Sequence, residues 1–127
     1  MKYLLDTHAV IWYYEDESKI PEKIMRLIDD SENSIYICSG SLWEIAIKTN
    51  LGKLELPLPF DELLDDIKNR DFYILQIEDD YLKKLSELPY THKDPFDRLI
   101  IATALAEDLT IITIDENIQK YDVPWVW

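Results

Sequence analysis

Four acidic residues, Asp6, Glu44, Asp97 and Asp115, are the side chains of this sequence best suited to chemistry. Two of them bracket its most apolar segment, in the run HKDPFDRLIIATALAEDLTIITID from His92 to Asp115. Each acid has a plain structural explanation. Asp6, or its neighbour Thr7, can cap the helix that follows, and Asp115 can cap the short helix after it. Asp97 suits the dipole of a helix that Asp94 caps. Glu44 precedes Lys48 by one turn, in the order that gives a surface ion pair worth roughly 0.3–0.5 kcal/mol. Taken together they suggest more. Four carboxylates brought to one place repel, each pair at about 4 Å costing about 4 kcal/mol at an effective dielectric near 20. A fold holds such a cluster when a cation fills it, and all-oxygen ligation favours Mg²⁺ or Mn²⁺ over zinc.

Convergence depends on the elements that carry these acids. KYLLD reads as a buried strand, HAVIWYY as the helix or turn after it, and PEKIMRLIDDSE as a one-faced helix opened by proline. SIYICS is a second strand, SLWEIAIKTNLG a helix closed by Gly52, and LELPLPF a proline-bound loop. FDELLDDIKNR is helical, FYILQI a third strand, and EDDYLKKLSEL a helix ended by Pro89. Pro95 opens a helix through Leu105, TIITI is a fourth strand, and VPWVW a short edge strand. The alternation predicts a three-layer α/β sandwich around a mostly parallel sheet. Asp6 and Asp115 then fall at the carboxyl ends of strands, and Glu44 and Asp97 on helices near their starts. That rim is where such folds bind ligands.

Composition sets the outer bounds. The 127 residues suit a single domain over 1–127, and 47% apolar content is enough for a core. Cys38 is the only cysteine, which excludes an internal disulfide and fits a reducing cytoplasm. No apolar run reaches the length of a membrane span or a signal-peptide core, so a soluble protein with no membrane partner is expected. The net charge of −13 opposes nucleic acid globally and favours a cation or a basic protein.

The stretches LLDTHAVIWY, SLWEIAIKTNLGKLEL, DPFDRLIIATALAE and TIITID resemble the PIN-domain ribonucleases, and more narrowly the VapC-type toxins of toxin–antitoxin pairs. The likeness runs in order from Asp6 to the closing VPWVW, and DPFDRLIIA and LWEIAIK are its specific signals. It implies that Asp6, Glu44, Asp97 and Asp115 form the family's acidic quartet and cut RNA with one or two Mg²⁺ or Mn²⁺ ions. Thr7 and Thr113 match hydroxyls beside the family's metal site. Attack by water leaving 5′-phosphate and 3′-hydroxyl ends is implied, as is a small antitoxin that covers the site.

With so negative a chain, RNA must be gripped locally. Lys48, Lys53, Lys93 and Arg98 are the candidates, being nearest the quartet in sequence. Trp12, Trp43, Tyr13 and Tyr14 read as core aromatics or contacts of a homodimer, and His8 and His92 as lone histidines that do not ligate metal. An aspartyl-phosphate phosphatase using Asp6 would carry a second acid two residues on, where this chain has His8. A phospho-receiver would need an acidic pair after the first strand. The remaining alternative is a PIN-like binding module without activity.

Overall fold

The computed structural model describes residues Met1 to Trp127. Five strands, β1 (Lys2–Leu5), β2 (Ser34–Cys38), β3 (Tyr73–Leu75), β4 (Thr110–Ile112) and β5 (Trp125–Val126), form one sheet in the order β3-β2-β1-β4-β5. Every neighbouring pair is parallel. Strands this short are buried on both faces, and their alternating side chains divide the core in two. Tyr3, Leu5, Ile35, Ile37 and Ile112 pack one way, against α1 (Thr7–Glu15), α2 (Glu22–Asp29), α3 (Ser39–Asn50) and α4 (Phe60–Asn69). Leu4, Cys38 and Ile111 pack the other way, against α5 (Asp79–Glu87), α6 (Pro95–Glu107) and α7 (Glu116–Gln119). The expected three-layer α/β sandwich is the observed one.

Element ends follow local chemistry. Pro21 sits at the N-cap of α2, just ahead of the first helical residue. Past the end of α3, Gly52 takes φ +71°, and the amides of Gly52 and Lys53 close on the carbonyls of Thr49 and Lys48. The helix begun by Pro95 runs two residues beyond Leu105, to Glu107, and Asp108 closes it in the left-handed region at φ 56°. β3 keeps only the middle of FYILQI.

Chain direction along the sheet reverses at β1, which has β2 on one side and β4 on the other. The carboxyl ends of β1 and β4 therefore flank the switch point, where folds of this kind open a crevice. Asp6 follows β1 directly, and Asp115 lies three residues beyond β4. Across the same end, α3 and α6 approach closely at Gly40. A Cβ there would stand 2.7 Å from Leu99 Cδ2. Gly40 lies one turn before Glu44 and Leu99 two residues after Asp97, so this contact holds two acid-bearing helices together.

Candidate functional site

Asp6 is 2% exposed. Its Oδ1 accepts the Ala9 amide at 2.7 Å, the cap expected of it, and its Oδ2 accepts the Thr113 hydroxyl. Thr113 Oγ1 in turn accepts the Asp115 amide at 2.9 Å. One hydroxyl thus ties the ends of β1 and β4 and sets Asp115 beside Asp6. Asp115 also caps α7, through Asn117 N at 2.8 Å. Thr7 makes a different bond, giving its hydroxyl to Ser41 at 3.0 Å and linking α1 to α3 inside the core.

α3 departs from the expectation of a surface ion pair. Ser41 and Glu44 are buried, whereas Trp43 is 60% exposed and Ile47 and Leu51 also face solvent. The helix buries Ser41 and Glu44 along with Leu42 and Ile45, and leaves an apolar stripe outside. Lys48 Nζ meets Glu44 Oε2 at 2.8 Å, with the Glu44 side chain 10% exposed. Glu44 Oε1 is buried with no hydrogen-bond partner. An orphaned carboxylate oxygen inside a fold is costly.

Asp97 is not a helix cap. Asp94 is, with Oδ1 accepting Phe96 N at 2.8 Å and Asp97 N at 3.1 Å. Asp97 Oδ2 instead meets His92 Nε2 at 3.0 Å. His92 is therefore not the lone histidine its sequence context implies. The pair is five residues apart across a Pro-initiated turn, and no helical or strand spacing announces it. Ser41 was visible only as part of a polar stripe whose direction the sequence leaves open.

Electrostatics link the four acids. The Asp6 carboxyl is pushed up to about 6, first by burial and further by the charges of Asp115 and Glu44, against the opposing bonds from Thr113 and Ala9. Asp97 also rises to about 6, by burial, then Asp94, with Asp115 and Glu44 adding to it against the His92 bond. Asp115 and Glu44 thus bear on both of the others. Two buried and two partly buried carboxylates, one with an orphaned oxygen, are a donor set that fits a hard divalent cation. His92, Asp94 and Asp97 also offer one ligand atom each within 4.8 Å of one another. There Asp94 Oδ1 already serves two backbone amides, and Asp97 Oδ2 and His92 Nε2 already bond each other.

Of the basic candidates, Lys48 is held by Glu44, while Lys53 and Lys93 are exposed. Arg98 Nη1 donates to Pro89 O at 3.0 Å and to Tyr121 Oη at 3.1 Å, and its guanidinium lies 4.8 Å from the Tyr90 ring centroid. Tyr13 is buried, and Trp12 packs 5.7 Å from Trp127. A cavity of about 570 Å³ opens at the opposite end of the sheet beside Ser34 and Tyr73. Its lining mixes Lys68 and Arg70 with Asp29, Asp30 and Asp71 and carries no comparable buried charge. No helix is long and apolar enough to cross a membrane.

A family model described as PIN domain matches residues 3–124. No curated protein matches by sequence. Among solved structures, the chain is similar to VapBC2 from Rickettsia felis bound to a DNA fragment from its promoter. The TM-score is 0.73 with 19% identity, over 99% of this chain and 98% of that one. It is similar also to DNA-bound VapBC from Salmonella typhimurium (TM-score 0.71, 16% identity, 99% and 97% covered). A third is VapBC-1 from nontypeable Haemophilus influenzae (0.70, 19%, 99% and 97%). At these identities the structural likeness carries the fold.

Proposed function

This chain belongs to the PIN-domain family, and on that premise we propose that it is a divalent-metal-dependent ribonuclease, the toxin of a toxin–antitoxin pair. The reading is supported by the buried, orphaned Oε1 of Glu44 and by the Thr113 hydroxyl that links Asp6 to the Asp115 backbone, with the charges of Asp115 and Glu44 adding to the upward pressure of burial on Asp6 and Asp97. Likeness to VapBC assemblies supports the toxin half. The match over 3–124 supports one domain along the chain.

Asp6, Asp97 and Asp115 would hold Mg²⁺ or Mn²⁺, one ion or two, with the free oxygen of Glu44 either a further ligand or the group that orients water. The cation supplies a Lewis acid that makes water more acidic and offsets charge on phosphate oxygens. The chain's own work is preorganisation. Thr113 and the Ala9 amide fix both oxygens of Asp6 before substrate arrives. Lys48 holds one oxygen of Glu44, so the other can orient a water for in-line attack. At neutral pH, Asp6 and Asp97 are mostly ionised even with their raised pKa values, and ready to ligate. Lys53 and Lys93, both exposed, are the candidates for gripping RNA phosphates, with Lys48 and Arg98 nearer the carboxylates.

The antitoxin would be a small protein with an apolar segment for the Trp43, Ile47 and Leu51 stripe and a basic residue for the carboxylates. The same stripe suits a homodimer. A reducing cytoplasm is the compartment consistent with the free, buried Cys38.

The test is RNA cleavage by purified protein with Mg²⁺ or Mn²⁺ and with EDTA. We expect metal-dependent products bearing 5′-phosphate, and a loss of several orders of magnitude in Asp6→Asn and Asp115→Asn at unchanged fold. Products ending in 2′,3′-cyclic phosphate would rule out water as nucleophile. Metal binding without cleavage of any RNA would favour a binding module.

A further inference from the structure

The loop before α6 is built with more care than a connection requires. Tyr121, only 7% exposed, stands under it, and its hydroxyl accepts the His92 amide at 3.0 Å and donates to Pro89 O at 3.0 Å. Arg98 reinforces the same point, bonding both Tyr121 Oη and Pro89 O through Nη1. The loop backbone is thereby pinned on both sides of Tyr90 and Thr91. The result is an imidazole, 21% exposed, with Nε2 held 3.0 Å from Asp97 Oδ2, whose own side chain is 15% exposed. Asp97 makes no other side-chain hydrogen bond, so its orientation rests on His92.

We propose that His92 is a positioning residue of the acidic site. Its Nε2–H holds Asp97 by Oδ2, so that the carboxylate presents its other oxygen to a divalent cation, and Tyr121 with Arg98 fixes the imidazole that does so. The inference rests on the metal-dependent reading of the site. The physics is that of outer-shell partners generally. A carboxylate free to rotate must lose that freedom on binding, whereas one already held does not, and such partners typically change metal affinity 10–100-fold. His92 acts through its hydrogen bond and is not itself a ligand. A site using His92 Nε2 as a ligand would have to give up the His92–Asp97 bond.

The experiment measures Mg²⁺ and Mn²⁺ affinity by calorimetry in wild type, His92→Ala, His92→Gln and Tyr121→Phe. Imidazole ¹⁵N spectra of the wild type are recorded with and without Mg²⁺. We expect His92→Ala to bind about 10–100-fold more weakly. His92→Gln, which keeps an N–H donor, should recover part of the loss. Tyr121→Phe, with the imidazole intact and the loop released, should also bind more weakly. His92 should show the Nε2–H tautomer, and keep that proton when Mg²⁺ saturates the site. Wild-type affinity in His92→Ala overturns the proposal, and so does wild-type affinity in Tyr121→Phe. Loss of the Nε2 proton on Mg²⁺ binding makes His92 a ligand, which also overturns it. A wild type that binds neither metal sinks the metal-dependent reading and this role with it. A wild type that binds, beside variants that bind equally, sinks this role alone.

Discussion

Removing the Asp6 charge should flatten the pH dependence of stability in metal-free protein. The Asp6 carboxyl sits at about 6 in the fold against 3.8 when unperturbed, and it is 2% exposed, so solvent screening discounts little. At about 1.4 kcal/mol per pKa unit, this corresponds to about 3 kcal/mol. The sign follows from the direction of the shift. A carboxyl raised in the folded state favours folding when protonated, so its contribution is complete below about pH 4 and is lost as pH rises through about 6. Asp97, raised for similar reasons, acts in the same window. Asp16 and Asp66 are lowered, so their stabilising contributions fail only below about pH 4, outside it. Urea unfolding followed by fluorescence of the four tryptophans, with EDTA, should give falling stability between pH 4 and pH 6.5. Asp6→Asn should lose about 3 kcal/mol of that fall. Absolute stability is the poorer readout, because the substitution also disturbs bonds to Ala9 and Thr113, each worth about 1.5–3 kcal/mol when the acceptor is charged. Saturating Mg²⁺ should add stability at pH 7 by linkage, about 2.7 kcal/mol at a hundred times Kd. An Asp6→Asn slope equal to that of wild type would refute the burial and repulsion argument.

Two further outcomes follow from the packing and the surface. Gly40→Ala drives a methyl against Leu99, and should cost about 1–3 kcal/mol and weaken Mg²⁺ binding, with Leu99→Val restoring both; strict additivity of the two substitutions in a double-mutant cycle would disprove the contact. A cognate antitoxin should inhibit cleavage, compete with Mg²⁺, and associate more slowly as salt rises; affinity and salt dependence unchanged in both Glu44→Gln and Asp97→Asn would mean it does not read the carboxylates.

The layer architecture was legible because period and punctuation agreed. KYLLD, SIYICS and the first half of TIITI are short, apolar buried strands, although Thr113 and Ile114 leave the last of them, and Pro21, Gly52, Pro89 and Pro95 mark the helix ends between them. Strand ends were less legible, since FYILQI loses residues at both ends once its neighbour β2 sets the register. Within the candidate site, the acids were found by type and by their place at strand ends. Their partners were not. Ser41 and Glu44 form a stripe that looks solvent-facing on a helical projection, yet Trp43 and Ile47 are the residues left outside. Helix rotation is decided by which face meets α1 and α6, which is long-range packing. His92 and Asp97 meet because Asp94 turns the chain between them, so their contact belongs to the turn and to Tyr121, 29 residues from His92.

Capping and ligation are usually weighed as rival explanations for an acid at a helix start. In this fold each of the four carboxylates has at least one oxygen in a structural bond, and Asp6 has both. Asp6 and Asp115 each give Oδ1 to the helix that follows, Asp97 gives Oδ2 to His92, and Glu44 gives Oε2 to Lys48. Glu44 Oε1 is left with no partner at all. Each structural bond fixes a side-chain rotamer in advance, so on the proposed metal-dependent reading little conformational freedom would be left to lose on binding a cation. The Thr113 hydroxyl also ties Asp6 to the backbone of Asp115 without any cation. Removing a cap such as that of Asp115 should therefore do more than fray one turn of helix. It should loosen the geometry of the acids around it, and a truncation such as Asp115→Ala would weaken the helix start and the site together.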